Sequence, residues 1–291
     1  MNYEGSRVYI EQSQGGQWIL GLDNMREMMK RLGNPQDDLQ FVHVGGTNGK
    51  GSVIAYLYSV LTKAGYRVGR YISPTLYTYR ERMEVSGKRI SKECFAQYVT
   101  ETAKVIEDMT KEGLPHPTPF EIETAAAFQF FKDENCDIVL LEVGLGGDED
   151  ATNIIRNTKL AVLASISMDH TSILGNTIGE IAEKKSGIIK PNCHVVTGNQ
   201  GPEAIEKIIH KCEEVNVPYA IADSNLVQAI DADCYGQTFR YKGEEYRLSL
   251  AGVCQEQNAV LALEALEILS ENGFPTTLSQ RKEGLKSAKW N

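Results

Sequence analysis

Basic residues are in the minority: 30 Lys and Arg stand against 39 Asp and Glu, a formal net charge of −9. That balance excludes a nucleic-acid binder that works by covering phosphates with a cationic surface. It leaves anionic small molecules open, because a local Lys/Arg cluster or a bound Mg²⁺ reverses the field inside one cleft. Long apolar runs are also missing. No stretch approaches the roughly 20 residues a bilayer-spanning helix needs, so no membrane span is expected. Residues 1–17 are polar and contain glycine, with no apolar centre of the kind a secretion signal requires. C-x-x-C spacing is absent as well. Cys94, Cys136, Cys193, Cys212, Cys234 and Cys254 lie far apart and read as free thiols in a reducing compartment, so a cytoplasmic location is expected. What remains, 42% apolar and 24% charged over 291 residues, suffices to bury a substantial core.

Periodicity then orders the chain. Residues 18–32 carry apolar side chains at helical spacing and stop at Gly33-Asn34-Pro35. FVHVGG at 41–46 reads as a buried strand, followed by an apolar helical stretch over 53–64 and a strand over 66–73. Residues 75–90 suggest an exposed loop entering a short hairpin. Helices are expected over 91–112, capped by Ser91, and over 118–132, opened by Thr118, Pro119 and Glu121. Near-continuous apolar runs at 136–144 and 160–167 read as interior parallel strands. A helix over 178–190 ending at Gly187, strands at 193–198 and 217–222 around a helix at 202–214, a hairpin within 234–250 turning at Lys242-Gly243, and an apolar helix over 255–271 complete the series. Strands alternating with helices imply an α/β fold: a mostly parallel, doubly wound sheet flanked by helices, with a small antiparallel patch.

Seven segments are candidates for chemistry. Thr47, Asn48, Gly49, Lys50, Gly51 and Ser52 follow Gly45-Gly46 between an expected strand and an expected helix. Glycines there let backbone N–H groups close on phosphate oxygens, the helix N-terminus adds its dipole, and Lys50 supplies a cation. Gly51 separates Lys50 from Ser52, so the spacing is not that of an ordinary Walker A loop. Glu142 lies near the C-terminal end of an apolar strand, where an uncompensated carboxylate is costly and where open α/β sheets bind ligands; a metal ligand fits both facts. His170, after Ile166-Ser167-Met168-Asp169, closes the next strand at the same sheet edge and is a metal ligand if it joins Glu142. Ser73-Pro74 ends another strand, and its hydroxyl is either a further Mg²⁺ contact or a strand stop. Lys185, read by itself, complements the dipole in the last turn of its helix. Gln255 and Asn258 either recognise a nucleotide or cap their helix. Arg80 and Arg82 either hold anionic substrate or form a solvated face, and the second reading is preferred.

Taken together and in order, HVGGTNGKGS (43–52), SPTL with RERMEVSGKRIS (73–91), PFEIETAAAF (119–128), DIVLLEVGLGGDEDATN (137–153), DHTSILGNTIGEIAEKKSGIIK (169–190) and QEQNAVLALEAL (255–266) resemble the folylpolyglutamate synthase/dihydrofolate synthase family, a branch of the Mur ligases. The resemblance implies a ligase: ATP phosphorylates a folate or pteroate carboxylate, and the amino group of L-glutamate displaces the phosphate. It implies that Lys50 and residues 47–52 hold ATP phosphates, that Ser73, Glu142 and His170 hold Mg²⁺, that Asn258 contacts the nucleotide, and that Lys185 is carbamylated, reversing its reading in isolation. Lys50, Lys185 and His170 are the expected catalytic set.

The sequence departs from the family in three places. Asp148-Glu149 replaces Arg-Leu, which should weaken substrate binding or reposition the loop; Lys184 replaces Glu; Cys254 replaces His. The resemblance further implies that 1–273 form the ATP-binding domain and 274–291 begin the link to a second, Rossmann-like domain of roughly 130 residues. That domain lies beyond Trp290-Asn291 and is separately encoded if the two act as a pair. The alternatives are dihydrofolate synthase rather than folylpolyglutamate synthase activity, a catalytically inactive ATP-binding or interaction module and, more remotely, a cell-wall Mur ligase.

Overall fold

A computed structural model describes residues 1–13, 21–233 and 236–289. The helices are α1 (Tyr3–Gln12), α2 (Asp23–Arg31), α3 (Lys50–Lys63), α4 (Lys92–Lys111), α5 (Pro119–Asp133), α6 (Thr171–Leu174), α7 (Ile178–Ser186), α8 (Pro202–Glu214), α9 (Gln255–Glu271) and α10 (Leu278–Ser287). The strands are β1 (Phe41–Gly45), β2 (Val68–Tyr71), β3 (Met83–Val85), β4 (Lys88–Arg89), β5 (Ile138–Glu142), β6 (Thr158–Leu163), β7 (His194–Gly198), β8 (Tyr219–Ala222), β9 (Gln228–Asp233), β10 (Gly236–Tyr241) and β11 (Glu244–Leu248).

Eight strands form one sheet in the order β4-β3-β2-β5-β1-β6-β7-β8. The six from β2 to β8 pair in parallel, and β3 and β4 add an antiparallel edge. The continuous apolar runs follow from burial on both faces. Along β1, Val42 and Val44 enter the core beneath α3 and α9, while Phe41 enters the core beneath α4 and α5; along β5, Ile138 and Leu140 divide from Val139 and Leu141 in the same way. Alternate side chains of a strand point to opposite faces, so a strand covered on both sides has no polar face to show. A third cluster, with Ile181, Ala182, Ala204 and Ile208, seats α7 and α8 on β6 and β7.

Several elements differ from the sequence reading. The first part of the helix expected over 18–32 lies outside the described residues, and α2 covers Asp23–Arg31. Residues 1–17 were read only as polar, yet α1 forms there, capped by the Asn2 side chain, which accepts from Gly5 N at 2.8 Å. The antiparallel patch has three strands in the order β11-β10-β9. Strand β9 escapes sequence detection because all six of its residues are exposed and carry no alternating pattern. In the stretch 274–291, Thr277 caps α10, whose buried Leu285 joins the core shared with α3. Arg82 is not part of a solvated face. Its side chain is 13% exposed and pairs at 2.9 Å with Glu123 of α5, and Arg80 donates to Ile90 O at 2.9 Å. The hairpin turn at 86–87 draws this segment onto the sheet edge, which buries the guanidinium.

Candidate active site

Strands β1, β5 and β6 are neighbours and parallel, so the segments that follow them open at one edge. After β1 the chain turns through Gly46 (φ 134°) and Gly49 (φ 88°) into α3. A Cβ on Gly46 would stand 2.9 Å from Ala164 Cβ, and one on Gly49 would overlap the Asn258 amide oxygen. Both positions therefore need glycine for close approach as well as for backbone conformation. The loop is stitched to the end of β6: Thr47 N donates to Ser165 O at 2.7 Å, Thr47 Oγ1 to Ser167 O at 3.1 Å, and Asn48 Nδ2 to Ser167 Oγ at 3.3 Å.

Two lysines converge on one carbonyl of this loop. Lys50 Nζ donates to Gly46 O at 3.2 Å and Thr47 O at 3.3 Å, and Lys185 Nζ reaches Gly46 O at 3.1 Å from the last turn of α7. Lys185 is 4% exposed, so its ammonium does not sit in solvent over the helix end, as its reading in isolation supposed; burial, helped by the charge of Lys50, pulls it down to about 8. Its ammonium is therefore held less firmly than that of an exposed lysine.

Glu142 ends β5 beside them. Its Oε2 accepts from Ser73 N at 3.0 Å and its Oε1 lies 3.9 Å from Lys50 Nζ. Burial raises this carboxyl to about 7, opposed by Lys50 and the Ser73 N–H. A buried carboxylate with so few donors calls for a cation. Ser73 and Glu142 are thus brought together. His170 caps α6 in a left-handed conformation, and its half-exposed ring lies 3.7 Å from Asp169 Oδ1. Among the described residues, no three His, Cys, Asp or Glu side chains gather as a metal cluster.

The first turn of α9 closes the other side. Gln255 Nε2 donates to Ser52 Oγ at 3.2 Å and Gln255 Oε1 accepts from Tyr56 at 3.2 Å, while Asn258 lies against Gly49. Cys254 is exposed at the start of that helix.

A cavity of about 390 Å³ opens next to Ser73, walled by Leu22, Phe120, Leu145 and Leu174 and edged by the cations Arg82 and Lys184 and the acids Glu121, Asp148, Glu149 and Asp150. Sequence reasoning did not identify its apolar walls. It also passed over Glu123, although a carboxylate inside the apolar run FEIETAAAF was a usable signal. The loop over 144–150 is tied down from within. Asp150 accepts from Leu145 N at 2.8 Å and Thr152 N at 3.0 Å, and Asn153 Nδ2 donates to Asp148 O at 3.0 Å and Gly187 O at 3.1 Å. Asp148 meets Lys184 at 3.4 Å. The two acids expected to disturb this loop therefore include one that a neighbouring cation already answers.

Beneath the loop, His43 forms a buried relay. Thr152 gives its hydroxyl proton to Asp150, so its oxygen accepts from His43 Nε2 at 2.8 Å, which leaves Nδ1 as an acceptor without a donor. Burial, aided by the charge of Lys190, lowers His43 to about 3.

The sequence pattern of the Mur ligase middle domain matches residues 44–266. A dihydrofolate synthase/folylpolyglutamate synthase of Bacillus subtilis is 39% identical over 278 residues, covering 93% of this chain and 64% of the relative. A folylpolyglutamate synthase of Thermotoga maritima superposes with a TM-score of 0.88 at 32% identity, over 99% of this chain and 66% of that one. An FPGS–AMPPCP–folate complex superposes at 0.91 and 29% identity, over 100% and 72%. The chain spans about 64% of the length of the curated relative it matches. A loop that needs glycine at two points, two lysines on one carbonyl and a buried glutamate at the next strand end thus occur within the span of the family pattern: the chain belongs to the Mur ligase family, with folylpolyglutamate and dihydrofolate synthases among its relatives.

Proposed function

We propose that this chain supplies the ATP-binding part of a ligase joining L-glutamate to a folate or pteroate carboxylate. The observation that carries the reading is the convergence of Lys50 and Lys185 on Gly46 O, beside Glu142, at the mouth of an α3 N-terminus. The Lys50 ammonium and the helix dipole at one point form a site for a polyphosphate. In the proposed reaction an acceptor carboxylate oxygen attacks the γ-phosphorus of ATP; a new P–O bond forms and ADP leaves. The neutral amine of glutamate then attacks the acyl carbon, phosphate departs with the bonding pair, and the amine loses a proton.

The loop N–H groups from Thr47 to Ser52 orient the phosphates, and Lys50 exchanges its carbonyl contacts for phosphate oxygens as charge develops there. Asn258 and Gln255 limit where the nucleotide lies. Glu142 and Ser73 would hold Mg²⁺, with His170 as a further ligand; the ion would neutralise charge on the transferring phosphoryl group. Lys185, drawn toward its neutral form, is suited to take up CO₂ as a carbamate with release of a proton. The apolar cavity edged by Arg82 accommodates the acceptor. Both a pteroate and a folate acceptor are retained, because the Bacillus relative is named for both reactions. The proposal includes residues 1–273 as the ATP-binding domain, 274–291 as the approach to a further domain, and a cytoplasmic setting consistent with the free thiols among the described residues.

The test is ADP release by the purified chain with Mg-ATP and L-glutamate, with dihydropteroate, with tetrahydrofolate, and with neither. Acceptor-dependent ADP and a new amide support the proposal and identify the acceptor. If ATP binds but no acceptor stimulates ADP release, even with a complementary C-terminal domain added, the ligase reading fails and an ATP-binding module remains.

A further inference from the structure

The two edges of the sheet carry cavities of opposite charge. Where β1, β6 and β7 begin, a basal cavity of about 580 Å³ is lined by Arg26, Lys30, Arg156 and Lys190 and by no carboxylate of the described residues. The acceptor cavity next to Ser73 is lined instead by four acids, Glu121, Asp148, Glu149 and Asp150, and by two cations, Arg82 and Lys184. Neither cation brings uncompensated charge to it. Arg82 pairs with the buried Glu123 at 2.9 Å, and Lys184 lies 3.4 Å from Asp148. Among the acids, Glu121 accepts from Thr118 N at 2.7 Å and Asp150 from Leu145 N at 2.8 Å, contacts that favour the ionised form. Glu149 is exposed and pairs with no cation of the described residues; only its backbone N–H is engaged, with Asp148 Oδ1 at 3.0 Å. The balance of the lining is therefore negative.

Asp148 and Glu149 are also the positions where the sequence departs from the family it resembles. Their loop is held by its backbone, with Asp148 N on Lys184 O at 3.1 Å and Asn153 Nδ2 on Asp148 O at 3.0 Å, so both acids stay at the cavity. At physiological salt the Debye length is about 8 Å, and in a cavity of about 390 Å³ the bound molecule lies within that range of the lining charges. The apolar walls suit a flat heterocycle; the lining charge decides how many anionic groups can accompany it. One carboxylate has a favourable destination. Ser73 lines the cavity and donates its N–H to Glu142, which lies 3.9 Å from Lys50, so this end leads to the phosphate loop. A second carboxylate on the same molecule stays in the cavity and meets like charge from Asp148 and Glu149.

We infer that this cavity selects an acceptor with a single carboxylate, a pteroate, over one that already carries glutamate, so that glutamate addition stops after the first residue. The inference rests on the ligase reading and narrows its acceptor. The product of one addition carries two carboxylates where the substrate had one, and the same repulsion that admits the substrate favours release of the product. Equilibrium dialysis of the whole chain with Mg-AMPPCP tests it, using dihydropteroate, dihydrofolate and dihydrofolate diglutamate, which share one ring system and differ by successive glutamates. Dihydropteroate is expected to bind tightest, with dihydrofolate about tenfold weaker and the diglutamate weaker again. Raising salt from 0.05 to 0.5 M should narrow that gap, because screening removes the repulsion. Asp148→Asn with Glu149→Gln, which keeps the size of both side chains, should narrow the dihydropteroate-to-dihydrofolate ratio to about threefold or less. Equal binding of the three, tighter binding with each glutamate, or a ratio unchanged by the double substitution would overturn this inference and leave the ligase reading standing. Binding of none of the three would overturn both.

Discussion

The same parallel strands end in two differently furnished edges. Where β1, β5 and β6 finish, cations and carboxylates meet at short range: Lys50 near Glu142, Lys184 near Asp148, Arg82 against Glu123. Where the strands begin, four cations surround a cavity that no carboxylate of the described residues lines. A parallel sheet imposes part of this contrast. Its C-terminal edge delivers the chain to helix N-termini, whose free N–H groups favour phosphate and carboxylate, and its N-terminal edge lacks them. The remainder is side-chain choice. At the upper edge the chain brings its own counter-charges and leaves two lysines converging on a carbonyl, a weak and exchangeable partner. At the lower edge three of the four cations have only exposed or distant partners, Asp23, Glu27 and Asp37.

The contrast is tested most severely by Lys50→Ala. Truncating one partner of a buried, hydrogen-bonded charge pair typically costs enough to predict a roughly thousandfold loss of Mg-ATP affinity. Arg156→Gln should leave that affinity unchanged, and equilibrium dialysis on both variants measures it. A large ATP effect from Arg156→Gln would mean that the two edges are not independent sites. The next effect is steric. Gly49→Ala places a Cβ in a left-handed conformation and against the Asn258 amide, which should cost about 2–3 kcal/mol by denaturant unfolding. Adding Asn258→Ala should recover the overlap and leave the backbone strain; no recovery would mean that Asn258 does not press on the loop.

His43 lies in β1, between the two edges, and its titration is linked to stability. Unfolded, it takes up a proton below its ordinary 6.5, whereas folded it stays neutral down to about 3. The unfolded chain therefore holds more protons in that window, and stability falls as pH drops from about 6.5 toward 3. The loss from this group should reach about 2 kcal/mol at pH 5. His43→Gln keeps a donor for Thr152 and should flatten the difference between urea unfolding at pH 7 and at pH 5 by about that amount. An unchanged difference would assign the acid sensitivity to other groups.

How much of this was legible in the sequence depended on range. The loop over 45–52 was readable because glycine, lysine and a strand-to-helix transition are local signals, and Glu142 because a carboxylate in an apolar strand is conspicuous. The parallel sheet followed from runs such as 138–141, apolar at every position because both faces are covered. Lys185 was ambiguous, since only tertiary packing decides whether a last-turn lysine points to solvent or beneath a loop; here it goes beneath. Arg82 was misread for the same reason, because its partner Glu123 lies 41 positions away. Strand β9 gave no signal, and the basal cavity gave none because its residues come from three separate stretches of the chain, 26–36, 153–156 and 190–192.

The smallest expected effect concerns Asp148, where the sequence suggested the largest disturbance. The Asp148–Lys184 pair is 41% exposed on both sides and 3.4 Å apart, so solvent screens it heavily. The loop is held instead by backbone: Asp148 N donates to Lys184 O at 3.1 Å, and Asp148 O accepts from Asn153. Asp148→Ala should therefore change stability by less than about 0.5 kcal/mol. Asn153→Ala, which removes two buried hydrogen bonds, should cost about 2–3 kcal/mol. Asp148→Arg, which installs the cation expected from the family resemblance, places like charges together opposite Lys184 and should be slightly worse than Asp148→Ala. Adding Lys184→Glu restores an opposite pair in reversed order and should return stability to within about 0.5 kcal/mol of the starting protein. If Asp148→Ala alone costs as much as Asn153→Ala, the ion pair rather than the backbone fixes the loop. The acids at 148 and 149 would then be a structural commitment of this edge rather than a tolerated change in charge.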